Sequence, residues 1–600
     1  MNSTKVEQHR NKLRNQRIIV IGGFLTFLYV MVGIRVFYLQ VIEDDMLSKR
    51  ASKQYQTSMK CQGKRGAIFD ANYRELAIST GIVEVGVHPR DVESKDETAM
   101  PAKQELAREV AKALKLNENV LYKKFSADKD FVWLDRKVTP MRAATLKSLR
   151  LSGFEYDPSY LRVYPYKALA AQLIGFVGVD GYGLDGLEQY FDDELKGNLR
   201  QWTIIKDRMG RIFDHQEVWS PGYEGNNIIL TIDSTIQYIA ETALKKSVEE
   251  NNAKSGLAIV MAPETGAVKA IAHYPTFNPN SFNSFPRQTW RNRSVTDTFE
   301  PGSALKVFLI AAALESGLCG PETIINCEKG KYRIGGNTIN DTHEYEFLTV
   351  HDVLKFSSNI GAVKIAEMIG PQTLYDSLRN FGFGEKTGIN CPGEVRGLLR
   401  HYEGWKKIDN ATIAFGQGVT VTPIQLITAI SAVANHGVLM TPYVVQAITD
   451  VNGNIIKSVN PGEKRKVIMP ETARALMKMM NAVTEPDGTG GRAVPAGYTV
   501  CGKTGTAQKI NANGTYRNCE YNGVFVGFSP AKSPELSVLV VIDEPQKHHY
   551  GGVVAAPVFR EIVHETFNYL NIPPSIPPSI PPVIPKEQLN VSNGVGEAGA

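Results

Sequence analysis

The segment Phe299-Glu300-Pro301-Gly302-Ser303-Ala304-Leu305-Lys306 sets a hydroxyl and an amine three residues apart, just past a Pro-Gly turn and at the start of an apolar helix expected over Val307 to Leu314. At that spacing both side chains lie on one helical face. A serine hydroxyl is a weak nucleophile at its free pKa, so a neighbour must take its proton, and a lysine can do so once desolvation or nearby cations lower its own pKa. Ser303 is the candidate nucleophile and Lys306 its base. The free amides of a helix N-terminus also favour the negative charge that develops on an attacked carbonyl oxygen. On its own, Ser-x-x-Lys is more often a solvated helix face, so the reading depends on partners.

Two further segments supply them. Ser357-Ser358-Asn359 precedes an apolar helix from Ile360 to Ile369. It reads either as an ordinary helix cap or as a relay, in which the Ser357 hydroxyl passes a proton to a leaving amine while the Asn359 amide holds the substrate backbone and Lys306. Lys503-Thr504-Gly505-Thr506 lies on a strand expected from Tyr498 into Ala507 and Gln508. There Lys503 supplies positive charge, Thr504 and Thr506 offer hydroxyls to a carboxylate, and Gly505 clears space for a peptide that pairs along the strand. Backbone amides of Ser303 and Thr506 would form an oxyanion hole.

The elements that must position these groups are legible in outline. Asp233 is suited to cap a periodic segment from Ile236 to Val248, and Leu257 to Met261 and Val268 to Ala272 read as strands joined by the turn Pro263-Glu264-Thr265-Gly266. Sheet and helices alternate from there to about Leu570, so a catalytic domain is expected over 225–570. The preceding stretch, 41–224, mixes short apolar runs with charged helical segments such as Ala102 to Leu116 and reads as a separate spacer domain. The last thirty residues, 571–600, open with Ile-Pro-Pro repeats at Ile572, Ile576 and Ile580 and should form an extended appendage, because prolines that dense cannot join a helix or sheet ladder.

In the order Ser-x-x-Lys, Ser-x-Asn, Lys-Thr-Gly, the three segments resemble those of penicillin-binding proteins and class A β-lactamases. The likeness extends to Arg293-Ser294-Val295-Thr296-Asp297, to Phe415-Gly416-Gln417-Gly418 with Val421-Thr422-Pro423-Ile424-Gln425, and to Gly488-Thr489. In the spacer, Arg65-Gly66 with Ile68 and Asp70, Arg162 with Tyr164-Pro165, and Gly186-Leu187-Glu188 resemble segments of the class B pedestal. Where that family commonly has Arg-Asn-Gly after the aspartate, this chain has Ala71-Asn72-Tyr73, which puts pedestal contacts in question.

The resemblance implies an α+β serine β-lactamase/transpeptidase-like domain, an antiparallel sheet with helices on both faces, beside an elongated pedestal. It implies acyl transfer from the D-Ala-D-Ala end of a peptidoglycan stem peptide to Ser303, then attack by an amine of a neighbouring stem, with β-lactams acylating the same serine and with no metal or organic cofactor. A β-lactamase is a rival, although Ser358 stands where class A enzymes have Asp. A penicillin-sensing receptor is another, but it would normally need several spans or an intracellular output domain. The implied partner is a membrane glycan polymerase, since no glycosyltransferase motifs are found between Val41 and Glu224. Lys-Thr-Gly-Thr, where elongation enzymes commonly have Lys-Ser-Gly-Thr, favours a cell-division role over elongation.

Composition agrees with an exported multidomain protein. A net charge of +5 over 600 residues is too weak a field to imply a nucleic-acid partner. Ile18 to Ile34 carries no charge and the apolar run reaches Leu39, so 18–40 is read as a membrane anchor. The basic flank within 1–17, Lys5, Arg10, Lys12, Arg14 and Arg17 against Glu7 alone, predicts a cytoplasmic N-terminus and a periplasmic remainder, single-pass in the inner membrane. The six cysteines match neither a disulfide framework nor a zinc site, and a Cys319–Cys327 pair is left open.

Overall fold

The computed structural model describes residues 3–47, 49, 56–61, 63–92, 100–197, 200–206, 212–217, 224–459, 461–510 and 516–576. The chain forms two compact units, one of residues 1–63 with 198–223, the other of 64–197 with 224–600. In the first, a single helix, Ser3–Phe37, runs through the apolar segment and beyond it into the basic flank. From Leu13 to Phe37 its apolar side chains are all exposed, the pattern of a helix whose surroundings are not protein. Three antiparallel strands, Gln56–Cys61, Arg200–Lys206 and Ile212–Glu217, complete the unit, with the second between the other two.

The second unit is built on two sheets. The larger runs in the order Ile455–Ser458, Val445–Thr449, Asn227–Leu230, Ile68–Phe69, Glu75–Val87, Val132–Val138, with Phe154–Val163 also paired to Glu75–Val87. Asn227–Leu230 pairs in parallel with Ile68–Phe69 and antiparallel with Val445–Thr449. Thus one sheet crosses the boundary that sequence places at 224/225, because Ile68–Phe69, paired on one edge with Glu75–Val87, has its other edge covered by Asn227–Leu230.

Segments singled out in the spacer form two polar clusters there, one around Glu188 and one around Asp70. Glu188, fully buried, accepts from Arg65 Nε at 2.6 Å, Arg162 Nε at 2.7 Å and Tyr164 Oη at 3.2 Å. Asp192 takes Arg65 Nη1 at 2.6 Å. Asp70 accepts from the amides of Asn72 and Arg74 and from Ser234 N, the last at the start of the helix Ser234–Glu250. Despite the unusual Ala71-Asn72-Tyr73, the turn closes: Asn72 Nδ2 reaches Asp233 at 2.8 Å, and Tyr73 adopts φ +60, the left-handed conformation a glycine would take freely.

The smaller sheet positions the chemistry. Its five antiparallel strands run Val268–Tyr274, Ser255–Met261, Leu536–Asp543, Tyr516–Ser529, Cys501–Ile510, which leaves the strand bearing Lys503 at the edge. Leu536–Asp543 is buried along almost its whole length because both faces are covered. Leu539 and Val541 join one core with the helices Lys306–Glu315 and Pro423–Ala434, whereas Val538, Val540 and Ile542 join another with Ser234–Glu250 and Ala556–Leu570. That alternation is the period of two expected of a strand, here apolar at both phases.

The tail departs from expectation at its start. Tyr498 Oη donates to Ile572 O at 2.7 Å, Thr499 N to Ser575 Oγ at 3.0 Å and Ile576 N to Gly497 O at 2.9 Å, so the first Ile-Pro-Pro-Ser repeat lies on the domain as a strand-like addition. The later repeats lie outside the described residues. Cys319, Cys327, Cys391 and Cys501 are free buried thiols, which removes the Cys319–Cys327 pair; the side chains of Cys61 and Cys519 lie outside the described set.

Candidate active site

Ser303 does not stand in the α-helix itself. Gly302–Leu305 is a 3-10 turn, and the α-helix begins at Lys306. In a 3-10 turn residues i and i+3 eclipse, which stacks Ser303 and Lys306 more directly than an α-turn would. The turn is held from below by the Phe415–Gly418 loop: Gly302 N donates to Gly416 O at 3.2 Å, and Gly418 N donates to the Glu300 carboxylate at 2.6 Å. A Cβ on Gly416 would lie 2.0 Å from Gly302 O, and its φ is +84, so both space and backbone demand glycine there. Gly302 N and Ala304 N are bonded, while Ser303 N has no backbone partner among the described residues.

Lys306 is fully buried. Its Nζ donates to Ser357 O at 2.6 Å, Asn359 Oδ1 at 2.8 Å and Ser357 Oγ at 3.3 Å. Burial pulls its pKa down from the ordinary 10.5 to about 7, against the raising influence of Asp341. Lys503 is equally buried; Nζ lies 3.0 Å from Ser357 Oγ and 3.1 Å from Thr504 O. Burial first, and then the neighbouring Lys306 charge, hold it well below the ordinary lysine range. Thus one hydroxyl, that of Ser357, lies within hydrogen-bonding distance of both amines. No hydrogen bond reaches the Ser303 hydroxyl among the described residues.

The Ser-Ser-Asn segment owes its shape to two helix ends. Val350–Lys355 closes with Ser358 N donating to Val353 O at 3.1 Å, which puts Ser357 in the left-handed position at φ +62 that a glycine usually occupies. Ser358 then caps the next helix, Asn359–Asn380, by accepting from Gly361 N at 2.8 Å. The helix-cap reading of this segment falls to Ser358, while the Ser357 hydroxyl is turned toward the two lysines.

Asp341 was not visible to sequence reasoning. One of its oxygens accepts from the amides of Asn359 and Ile360, the other from Ser358 Oγ, so it caps the same helix from outside and brings negative charge toward Lys306. Nothing in its local spacing could have marked it, since Asp341 follows directly on the hairpin of Lys331–Ile334 with Asn337–Asn340 and lies 17 residues from the Ser358 it meets. Glu300 is the second such residue; its other carboxylate oxygen accepts from Tyr516 Oη at 3.3 Å.

On the edge strand, a Cβ at Gly505 would sit 2.8 Å from Pro301 O and 3.7 Å from Ala304 Cβ. The missing side chain therefore admits the Ser303 turn, a different task from clearing room for a peptide. Thr504 Oγ1 lies 3.0 Å from Thr489 Oγ1, and Thr506 Oγ1 accepts from Gly551 N at 3.3 Å. Cys501 is packed in the core on the Lys503 side of the strand, its thiol donating to Met477 O.

Residues 256–564 match the penicillin-binding protein transpeptidase domain, and residues 60–230 match the penicillin-binding protein dimerisation domain. This chain belongs to the class B penicillin-binding proteins. It is 34% identical over 568 residues to a probable peptidoglycan D,D-transpeptidase PenA of Neisseria gonorrhoeae, covering 94% of each chain. It is 33% identical over 597 residues to the peptidoglycan D,D-transpeptidase FtsI of Escherichia coli, covering 99% of this chain and 97% of that one. Among solved structures, penicillin binding protein 3 of Mycobacterium tuberculosis in complex with aztreonam superposes with a TM-score of 0.67 at 26% identity, over 86% of this chain and 99% of that one.

Proposed function

We propose that this class B penicillin-binding protein is a peptidoglycan D,D-transpeptidase of septal wall synthesis with Ser303 as its acylated residue. The observation that carries the site assignment is the Ser357 hydroxyl set between two buried amines, Lys306 and Lys503. At pH near 7 a substantial fraction of Lys306 is neutral and able to accept a proton. Ser303 Oγ attacks the carbonyl carbon of the penultimate D-Ala while its proton passes to Lys306 Nζ. The oxyanion is taken by the amides of Ser303 and Thr506, the former free of any backbone partner among the described residues.

Collapse of the tetrahedral adduct breaks the C–N bond, and the proton returns through Ser357 to the departing amine of D-Ala. The amine of a second stem then attacks the Ser303 ester, gives up its proton by the same route, and leaves a new amide and a free hydroxyl. Asn359 orients Lys306, and Lys503 with Thr504 and Thr506 receives the terminal carboxylate. β-Lactams acylate Ser303 in place of the stem peptide.

The N-terminal helix anchors the chain in the inner membrane with the basic flank in the cytoplasm, and a membrane glycan polymerase of the division machinery is the partner that supplies strands. A fluorescent penicillin should label the chain on the peptide containing Ser303, and Ser303→Ala should lose the label with an unchanged melting profile; equal labelling removes the assignment. Depletion should give filaments, whereas round cells would assign the chain to elongation.

A further inference from the structure

The wall that presents Ser357 is tied to the opposite side of the site by a contact with no part in the chemistry so far described. Lys355, the last residue of the helix Val350–Lys355 that leads into Ser357, donates to Glu485 at 2.7 Å and lies 2.9 Å from the Asp487 carboxylate. Its side chain is 12% exposed, while those of Glu485 and Asp487 are 50% and 65% exposed. The two acids stand in a tight turn closed by Gly488 N to Glu485 O at 2.9 Å and Gly490 N to Val483 O at 2.8 Å. Within the same turn, Thr489 meets the hydroxyl of Thr504 on the edge strand.

A continuous chain of contacts therefore leads from Lys355 through the acidic turn to the strand that carries Lys503. Among the described residues, Ser357 and Lys503 are joined directly by a single hydrogen bond, to the same hydroxyl that the proposed proton relay uses. Their separation has to be fixed by something else, and tolerances of about 1 Å in such geometry change rates on the order of a hundredfold.

We infer that Lys355, Glu485 and Asp487 form an ionic clamp that sets the distance between Ser357 and the edge strand, so that Lys355 is a positioning residue for acyl transfer. Neutralising the lysine does more than remove an attraction. It leaves two carboxylates in one turn to repel each other, and the turn carries Thr489 away from Thr504. The inference rests on Ser303 being the acylated residue, and the test separates the two.

The test measures the second-order rate of acylation by a fluorescent penicillin in the full chain, purified in detergent, together with its melting temperature. Ser303→Ala serves as the reference for the site itself: if it labels as well as the parent, the active-site reading fails, and the clamp with it. Lys355→Met keeps the stem and removes the charge; a rate lower by on the order of tenfold or more, with melting near that of the parent, is expected. Lys355→Glu should be slower still, and Lys355→Glu with Glu485→Lys should recover most of the loss. A merely structural lysine would not show such rescue in the rate. Parental rates in Lys355→Met, or no recovery in the exchanged pair, overturn the clamp. Should Lys355→Met fail to fold, Glu485→Gln with Asp487→Asn removes the same contacts from the exposed side, and parental acylation there overturns it equally.

Discussion

Lys306→Met offers a test in which thermal stability and acylation report on the same buried amine as pH changes. Lys306 Nζ is fully buried and its pKa falls from 10.5 to about 7 in the folded chain. Between those values the unfolded chain takes up a proton that the folded chain refuses. The folded state therefore loses stability as pH falls through this window, and below about 7 the deficit stays constant because both states are protonated. At about 1.4 kcal/mol per pH unit, the whole window amounts to on the order of 4–5 kcal/mol. Methionine abolishes this dependence. It also leaves Ser357 O and Asn359 Oδ1 without their donor, a loss of about 1–3 kcal/mol for each that does not vary with pH.

The variant should thus melt below the parent at pH 10 and draw level with it, or pass it, near pH 7. The gap should close by on the order of 5 °C for a unit of this size. The assay is thermal melting of parent and variant across pH 6–10, with penicillin acylation followed in parallel. The parent's acylation rate should rise with pH through about 7 as the amine becomes neutral, and the variant should not acylate at all. A melting gap that stays constant across the series, or widens toward pH 7, would show that Lys306 is not held near neutrality and would refute the assignment of the base.

Three other outcomes are expected. Ser357→Gly and Ser357→Ala both delete the shared hydroxyl, but glycine relieves the left-handed backbone at φ +62, so the glycine variant should be more stable than the alanine variant by about 0.5–1 kcal/mol, the reverse of the usual order, as read by melting of the pair. Asp341→Asn removes the negative charge that raises the Lys306 pKa, so the ascending limb of the acylation profile should move to lower pH and the rate at its plateau should fall several-fold. Gly505→Ala forces a Cβ to within 2.8 Å of the Pro301 carbonyl, a backbone atom beneath the nucleophile turn. Acylation should drop by on the order of tenfold or more while the pedestal network, probed by the melting of a Glu188→Gln comparison, is untouched.

The parts of this site that sequence reveals are those fixed by local spacing. Ser303 and Lys306 are three apart, Lys503 and Gly505 two apart, and either interval determines which side chains share a face. The strands read over Leu257 to Met261 and Val268 to Ala272 fall within Ser255–Met261 and Val268–Tyr274, and the expected helices over Ile236 to Val248 and Val307 to Leu314 fall within Ser234–Glu250 and Lys306–Glu315. What was hidden depends on pairings between distant segments. Asp341 reaches Ser358 only because a hairpin folds back over the helix start, and a surface aspartate beside an asparagine carries no mark of that. Gly505 was visible as a glycine, but whether it admits a peptide or the Pro301 carbonyl is decided by how closely two elements two hundred residues apart are packed.

Ser357 shows why such features escape. A glycine at that position would have announced a left-handed turn, yet the chain keeps a serine there in a conformation that suits it poorly. The cost is met by the helix closure through Val353 O on one side and by the Ser358 and Asp341 cap on the other, which together leave the backbone no other path. Local sequence rules therefore fail at this residue, and the failure has a physical consequence: the hydroxyl is aimed by the ends of two helices, which hold it between Lys306 and Lys503.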